Sequence, residues 1–310
     1  MNKMAMAATL TMAAAMAWAA DPNPRFGMAG YTYHKQTADQ MLDAMQKLDV
    51  HWLCVKDFHL SYAASDAEIA VFKKKCADHG VTPYAVGPIY MGSHAEADRA
   101  FDFAKRLGVK IVVGVPYLVP EGGKDEWGGR VASRELCEYV SGLCAKYDVR
   151  YAIHNHGPDV PKLFPPGESA WEMVKDLDPR MGLCLDAGHD FRFGADPVAS
   201  VRKYAPRLFD FHLKNVTEPT VKGSAMPLPR GKMDMAAIFK ALRDVGYAGV
   251  CSLEYERDFT DNFAGIAECI GYFRGLSDMA TEEEGFEPLW NGPACTNEWV
   301  STKGCAAWPS

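Results

Sequence analysis

Several features are scarce in this sequence of 310 residues, and each absence argues against a class of protein. Lysine and arginine form no concentrated run and the formal net charge is −7, which excludes a nucleic-acid surface, because phosphate binding needs clustered positive charge. No apolar run beyond the first 19 residues approaches the roughly 20 residues of a membrane span. No Gly-x-Gly-x-x-Gly follows the first predicted strand, which argues against a doubly wound sheet that binds a dinucleotide.

Residues 1–19 have the pattern of a secretory signal peptide. A positive charge at Lys3 precedes an apolar run from Met4 to Trp18, and Ala17-Trp18-Ala19 fits the small-x-small rule for signal peptidase. A transmembrane anchor is the alternative, but the run is short for a span and consists of Ala and Met rather than Leu and Ile. We therefore expect an exported, periplasmic protein with no stable membrane span.

Nine cysteines in an exported chain suggest disulfides, but most of them lie in apolar patterns. Six are therefore predicted to be small buried hydrophobic residues. These six are Cys54, Cys137, Cys144, Cys184, Cys251 and Cys269. Only Cys295 and Cys305, near the C-terminus, form a candidate pair, and an odd total leaves at least one thiol free.

Eight short β-like runs alternate with amphipathic helical patterns over residues 24–279. Some runs are nearly all apolar, such as Ile111-Val112-Val113-Gly114-Val115, as parallel strands covered on both faces are. Eight such units in about 250 residues predict an α/β fold, a (β/α)8 TIM barrel, with an open doubly wound sheet as the alternative. After Met279 the composition becomes charged, so residues 280–310 are predicted to be a linker and an irregular tail, too short for a second core.

Histidines and carboxylates cluster where the predicted strands end, which is where barrel enzymes place their reacting groups. Six of the nine histidines lie at such ends. They are His34, His59, His154, His156, His189 and His212. Such groups are costly to bury after an apolar strand unless they are ligated or paired. A structural explanation is open for each: His212 as a core histidine, Asp186 as a helix N-cap, Glu254 as an ion-pair partner of Lys214.

One metal site is predicted from four consecutive strands, numbered five to eight. Its members are His154, Asp186, His212 and Glu254. Imidazole and carboxylate ligands suit Mn²⁺, Co²⁺, Fe²⁺ or Zn²⁺ better than Ca²⁺. The absence of cysteine from the set argues against a closed structural zinc site.

At these residues the sequence resembles the xylose isomerase-like, or sugar phosphate isomerase/epimerase, superfamily of TIM barrels. The resemblance covers about Phe26 to Leu276 and implies that Asp186, His212 and Glu254 are metal ligands. It also implies that His189 supports the metal site or binds substrate, and that Lys214 is a cation beside the substrate. The motifs that carry it are Leu185-Asp186-Ala187-Gly188-His189, Phe211-His212-Leu213-Lys214-Asn215 and Gly246-Tyr247-Ala248-Gly249 leading into Glu254.

The motif after the fifth strand departs from this family. Members usually have Glu-Asn-His-Gly where this chain has His154-Asn155-His156-Gly157. In the family's sugar epimerases two metal-bound glutamates act as acid and base on opposite faces of the substrate, so Glu254 here lacks its symmetric partner. Either His154 replaces the missing ligand, or His156 holds the metal with Asp159 nearby.

The resemblance and the residues together predict a sugar isomerase or epimerase that removes a proton next to a carbonyl with the help of one divalent metal ion. Glu254, His156 or His189 would take the proton, and Lys56 is a further candidate catalytic residue. The remaining candidates are expected to bind the small sugar or keto-sugar substrate: Lys214, His59, His34 and Asp57. A solvated cluster of loop charges is the alternative for Lys56, Asp57 and His59. Trp127 and Phe191 are candidate apolar walls.

Three other functions remain open. Elimination from the same enediolate would make the protein a lyase that cleaves 3-keto-glycosides. Export favours it, as does the tail at residues 285–292, which resembles the opening of a lectin-like domain labelled 3-keto-disaccharide hydrolase. A barrel without catalysis would bind sugar independently of metal, and a DNA-repair endonuclease of this superfamily would need three metals and a basic groove. The sequence is compatible with a homo-oligomer.

Overall fold

The computed structural model describes residues 23–283, in which eight parallel strands form a closed barrel. Each strand pairs with the next along the chain, and the eighth pairs with the first, so the predicted (β/α)8 fold is confirmed. The strands are β1 (Arg25–Ala29), β2 (Trp52–Val55), β3 (Thr82–Met91), β4 (Ile111–Leu118), β5 (Arg150–His154), β6 (Met181–Asp186), β7 (Leu208–Leu213) and β8 (Val250–Leu253).

Helices surround the barrel and begin at capping residues in the sequence. Thr37 and Ser65 each form a capping box with a residue three positions later, Gln40 and Glu68, which satisfies backbone donors at the helix start. The helices are α1 (Ala38–Lys47), α2 (Asp66–Asp78), α3 (His94–Leu107), α4 (Arg134–Tyr147), α5 (Gly167–Val174), α6 (Ala187–Arg192), α7 (Pro197–Tyr204), α8 (Met235–Asp244) and α9 (Phe263–Glu283). No helix between residues 23 and 283 is both long and apolar enough to cross a membrane.

The ends of some elements differ from the sequence pattern. The short helix α6 follows β6 directly, because Asp186 ends the strand and also caps the helix. Helix α9 continues to Glu283, so the first residues of the predicted linker are helical. The predicted signal peptide, the candidate pair Cys295 and Cys305, and the remainder of the tail lie outside the described residues.

Two apolar regions support the barrel. The larger one lies between the sheet and the helices, and the smaller one fills the lower barrel interior. The smaller one consists of Cys54, Ala85, Val113, Ala152, Cys184 and Phe209. The six cysteines predicted to be buried hydrophobic residues are buried and free, as is Cys76. This apolar floor leaves the opposite, C-terminal end of the barrel for polar residues.

Close packing of β6 against the residues before β7 gives a stability prediction. A Cβ at Gly182 would lie 2.2 Å from the carbonyl oxygen of Arg207 and 2.5 Å from the ring of Phe209. Because backbone cannot rotate away as a side chain can, we expect Gly182→Ala to lower the free energy of unfolding by about 1–3 kcal/mol in urea denaturation. Gly142→Ala, at a position in α4 with nothing within 4 Å of the added carbon, should instead stabilise slightly. Equal urea midpoints for both variants would contradict this packing.

Candidate metal centre

Four side chains at the ends of β5 to β8 converge at the C-terminal mouth of the barrel. One candidate ligand atom from each lies within 4.8 Å of those of the others. His154 Nε2 is 3.2 Å from His212 Nδ1 and 3.6 Å from Glu254 Oε2, and it is 3.9 Å from Asp186 Oδ2. All four residues are buried, and Asp186 and His212 are fully so. These are the four residues that the sequence predicts as ligands.

The donor set fits one divalent cation. Two imidazole nitrogens and two carboxylate oxygens face a common centre, and this mixture is typical of sites for first-row transition metals. The alternative ligands are occupied elsewhere, because His156 Nε2 lies 2.9 Å from the Tyr90 hydroxyl and Asp159 is paired with Arg192 at 3.0 Å. The geometry therefore favours His154 as the metal ligand at the position where the family has glutamate.

Lys214 is buried beside this centre and contacts its carboxylates. The Lys214 ammonium is 2.9 Å from Asp186 Oδ2, 3.0 Å from Glu254 Oε2 and 3.0 Å from Glu256 Oε2. Burial opposes its charge, but these carboxylates, led by Asp186, outweigh burial and raise the pKa of Lys214 well above its usual value. Two buried carboxylates and the partly exposed Glu256 thus face one fixed ammonium, an imbalance that a divalent cation compensates.

The charges at the site are set by burial and by these neighbours. Burial also opposes the ionisation of Glu254, yet Lys214 and His212 hold its pKa well below the usual value. For His212 burial disfavours the charged form, but the nearby Glu254 carboxylate outweighs burial and raises the pKa. Burial lowers the pKa of His154 and, more strongly, of His156. The site therefore pairs an ionised Glu254 with His154 and His156 in their neutral forms, which are the forms that bind a metal or accept a proton.

A buried carboxylate lies on the far side of His212. The Nε2 atom of His212 has no hydrogen-bond partner among the described residues, and the nearest carboxylate oxygen to it is Asp210 Oδ2 at 3.8 Å. Asp210 accepts hydrogen bonds from the Tyr84 hydroxyl at 2.9 Å and from the Phe211 backbone N–H at 3.0 Å. Burial raises the pKa of Asp210 to about 6. With Nδ1 directed at the metal centre, an Nε2–H would face this carboxylate.

A pocket of about 440 Å³ opens above the metal centre. One side of it is polar and is formed by residues that follow β5, β6 and β8. This polar side consists of His154, His156, Asp159, His189, Arg192, Glu254 and Glu256. The other side is largely aromatic and is formed by residues that lie in or after strands β1 to β4. It includes Tyr31, Lys56, Phe58, Pro88, Tyr90 and Trp127. The metal centre is therefore accessible to a small molecule.

The structure separates the predicted site residues into two groups. The candidate catalytic residues all line the pocket: Glu254, His156, His189 and Lys56. Lys214, predicted to bind substrate, is buried and outside the pocket lining, where it contacts carboxylates and the Nε2 atom of His189 at 3.1 Å. Of the two candidate walls, Trp127 lines the pocket, whereas Phe191 packs against the helix-side core.

The other three predicted substrate-binding residues lie away from the pocket lining. His59 Nε2 bonds to the carbonyl of Tyr33 at 3.1 Å, and the residue borders a separate groove between α1 and α2. His34 stacks on Tyr31 at a ring distance of 4.8 Å, and Asp57 is half-exposed and paired with Lys56. His34 also lies 5.7 Å from the ring of Phe58, so it packs behind two residues that line the pocket. A role of these three residues in substrate binding stays a prediction.

Several pocket residues are absent from the prediction. Glu256 could have been found, because it lies two positions after Glu254 and so shares its side of an extended segment. Tyr31, Tyr90 and Arg192 carry no comparable signal. Arg192 reaches the pocket only because α6 returns over the barrel mouth, where it pairs with Asp159.

Residues 48–276, more than half of the chain, match the family model described as xylose isomerase-like TIM barrel. The chain belongs to this family. Within the xylose isomerase-like family the fold is also shared with a solved protein of Mycobacterium smegmatis in complex with magnesium. That structure aligns with a TM-score of 0.63 and 19% identity, over 83% of this chain and 97% of the other.

Curated relatives of this xylose isomerase-like chain are sugar-processing enzymes. The mannonate dehydratase of Brachyspira hyodysenteriae is 29% identical over 161 residues, which is 47% of this chain and 42% of the relative. The inosose isomerase of Bacillus subtilis is 28% identical over 161 residues, 49% of this chain and 56% of the relative. The chain thus spans about half the length of the curated relatives it matches.

The lowered pKa of a pocket histidine predicts a pH dependence of stability. In the folded chain burial holds the pKa of His156 well below its unfolded value of about 6.5. Below pH 6.5 the unfolded chain therefore binds more protons at His156 than the folded chain does. The free energy of unfolding consequently falls as the pH falls from 6.5 toward the pKa of the folded state. We expect the metal-free protein to lose about 1 kcal/mol more than His156→Gln between pH 6.5 and 5.5 in urea denaturation. Identical losses would contradict a buried neutral His156.

Proposed function

We propose that this protein is a divalent-metal-dependent sugar isomerase or epimerase that removes a proton next to a carbonyl. The observation that carries the proposal is the convergence of His154, Asp186, His212 and Glu254 at the floor of an open pocket. A metal held there would supply Lewis acidity, which stabilises the negative charge that develops on a sugar oxygen. A single divalent ion bound there would compensate the excess of negative charge from the carboxylates.

Glu254 is the best-placed proton acceptor. It is ionised, it lines the pocket, and its polar contacts among the described residues, to His154, His212 and Lys214, are made through Oε2. This leaves Oε1 for a substrate proton. Neutral His156, held by the Tyr90 hydroxyl on the neighbouring side of the pocket, is the second candidate to hold or return a proton.

The metal is proposed to be Mn²⁺, Co²⁺, Zn²⁺ or Fe²⁺. Two imidazole ligands favour these ions over the harder Mg²⁺, which prefers oxygen ligands and keeps its waters. The family neighbour that binds magnesium is too distant in sequence to decide the metal for this chain. Metal analysis of protein reconstituted with each ion separately tests this assignment, and preferential retention of Mg²⁺ would contradict it.

A lyase is the second candidate function. Epimerisation needs acid and base groups on two faces of the substrate, whereas His154 stands where the family has its second glutamate. Elimination needs one base and a leaving group on the neighbouring carbon, so a lone Glu254 suffices. The name of the mannonate dehydratase relative also describes an elimination. Both candidates begin with the same proton removal, so one experiment separates them.

The test is incubation of the metal-loaded protein with a 3-keto-glucoside, and separately with a free ketose, in D2O. Isomerisation or epimerisation gives deuterium at one carbon of an intact skeleton, and elimination releases the aglycone. Removal of the metal with a chelator should stop either reaction, because the developing charge loses its counter-ion. Absence of exchange in every case, with sugar binding unaffected by chelator, would instead indicate a sugar-binding barrel without catalysis.

A further inference from the structure

We infer that the substrate is a keto-glycoside with a planar, apolar aglycone, and that this aglycone binds against an aromatic arc formed by Tyr31, Phe58, Tyr90 and Trp127. The inference rests on the proposed function, because it uses the same pocket and places the sugar ring at the metal end. It adds a subsite and a chemical class for the part of the substrate that does not react.

The arc is continuous along one side of the pocket. The rings of Tyr31 and Phe58 are 6.0 Å apart, and those of Tyr90 and Trp127 are 5.1 Å apart. The Lys56 ammonium joins the two pairs, 5.3 Å from the Phe58 ring and 5.8 Å from the Tyr90 ring. Trp127 ends the arc at 5.3 Å from the ring of His156, beside the metal centre. The reactive end and the aromatic side are therefore contiguous.

The outer members of the arc are uncovered apolar surface. Phe58 is 48% exposed and Trp127 is 42% exposed, although both line the pocket. Apolar rings in a concave site are costly in water and gain free energy when a ligand covers them. A planar ring is the ligand shape that aromatic side chains bind by stacking or by edge-to-face contact.

Polar groups on this side are too few for a second sugar. The Tyr90 hydroxyl is already bonded to His156, and Lys56 is paired with Asp57 at 2.8 Å. The other polar groups of these side chains are the Tyr31 hydroxyl and the Trp127 indole N–H, fewer than the hydroxyls of a hexose. A sugar residue buried there would leave hydroxyls without partners, which is costly. By contrast, the polar side holds histidines, carboxylates and Arg192. The pocket volume of about 440 Å³ lies within the range of about 300–1,000 Å³ for drug-sized ligands, more than one hexose needs.

The test compares binding of phenyl β-glucoside and methyl β-glucoside by isothermal titration calorimetry. Neither carries a keto group, so binding is measured without reaction. We expect the metal-loaded protein to bind the phenyl glucoside at least about tenfold more tightly than the methyl glucoside. Trp127→Ala and Phe58→Ala should each reduce this ratio several-fold, because each removes an aromatic contact that only the phenyl ring makes.

Phe193→Ala is the matched control, since Phe193 is equally exposed at 41% but lies outside the pocket lining. It should keep the ratio of the parent. Equal affinities for the two glucosides, or equal effects of the Trp127 and Phe193 variants, would overturn the inference. A high ratio without deuterium exchange on any keto sugar would retain the aromatic subsite and reject the proposed function, whereas exchange with equal affinities would do the reverse.

Discussion

An Asp186→Asn variant is expected to lose the bound metal and at least about a thousandfold in the rate of deuterium exchange. The amide oxygen is expected to stay on the helix cap, so an NH2 group that cannot coordinate replaces the charged oxygen at the metal. Lewis-acid stabilisation is worth several kcal/mol, at 1.36 kcal/mol per tenfold in rate. Asparagine is preferable to alanine because Asp186 Oδ1 also accepts the His189 backbone N–H at 2.7 Å, and an amide oxygen can keep this helix cap. Metal content and exchange rate are measured together.

Asp159→Asn is the matched control for this prediction. Asp159 lines the same pocket and is the alternative ligand that the sequence left open with His156. Because the structure pairs it with Arg192, its variant should keep a full complement of metal. Loss of metal from the Asp159 variant but not from the Asp186 variant would refute the assignment of the centre.

Glu254→Gln is expected to slow deuterium exchange by about 10²- to 10⁴-fold while a substantial part of the metal is retained. The amide keeps one oxygen for coordination but cannot take a proton, and general acid–base groups contribute rate factors of this size. This variant should lose exchange rate but keep metal, whereas Asp186→Asn should lose both, so the two measurements distinguish the variants. Its pocket shape should be unchanged, because the two side chains have nearly the same volume.

Glu256→Gln controls for the loss of negative charge near Lys214. Glu256 is two residues away, contacts the same ammonium at 3.0 Å and is absent from the group of candidate ligands. We expect it to lose less than about tenfold in exchange rate, because the acceptor on Glu254 remains. If Glu254→Gln and Glu256→Gln slow deuterium exchange by the same factor, the charge near Lys214 controls the reaction, and Glu254 is not the proton acceptor.

The sequence alone was sufficient for the barrel and for the identity of four candidate ligands. The alternation of apolar strands with amphipathic helices is a local pattern, and a closed parallel sheet brings the C-terminal ends of all its strands to one face. Any polar side chain placed directly after β5 to β8 therefore converges there. This is why His154, Asp186, His212 and Glu254 could be grouped before their distances were known.

The tertiary structure decided the choices that sequence position leaves open. His154 and His156 share a side by strand period, yet only His154 faces the metal centre, because Tyr90 from β3 holds His156. Lys214 is held by buried carboxylates from two other strands, and the aromatic arc comes from separate strands and loops far apart in sequence. Side-chain direction and loop path depend on contacts between distant segments. The sequence thus determined which groups reach the barrel mouth, and non-local packing determined what each of them faces.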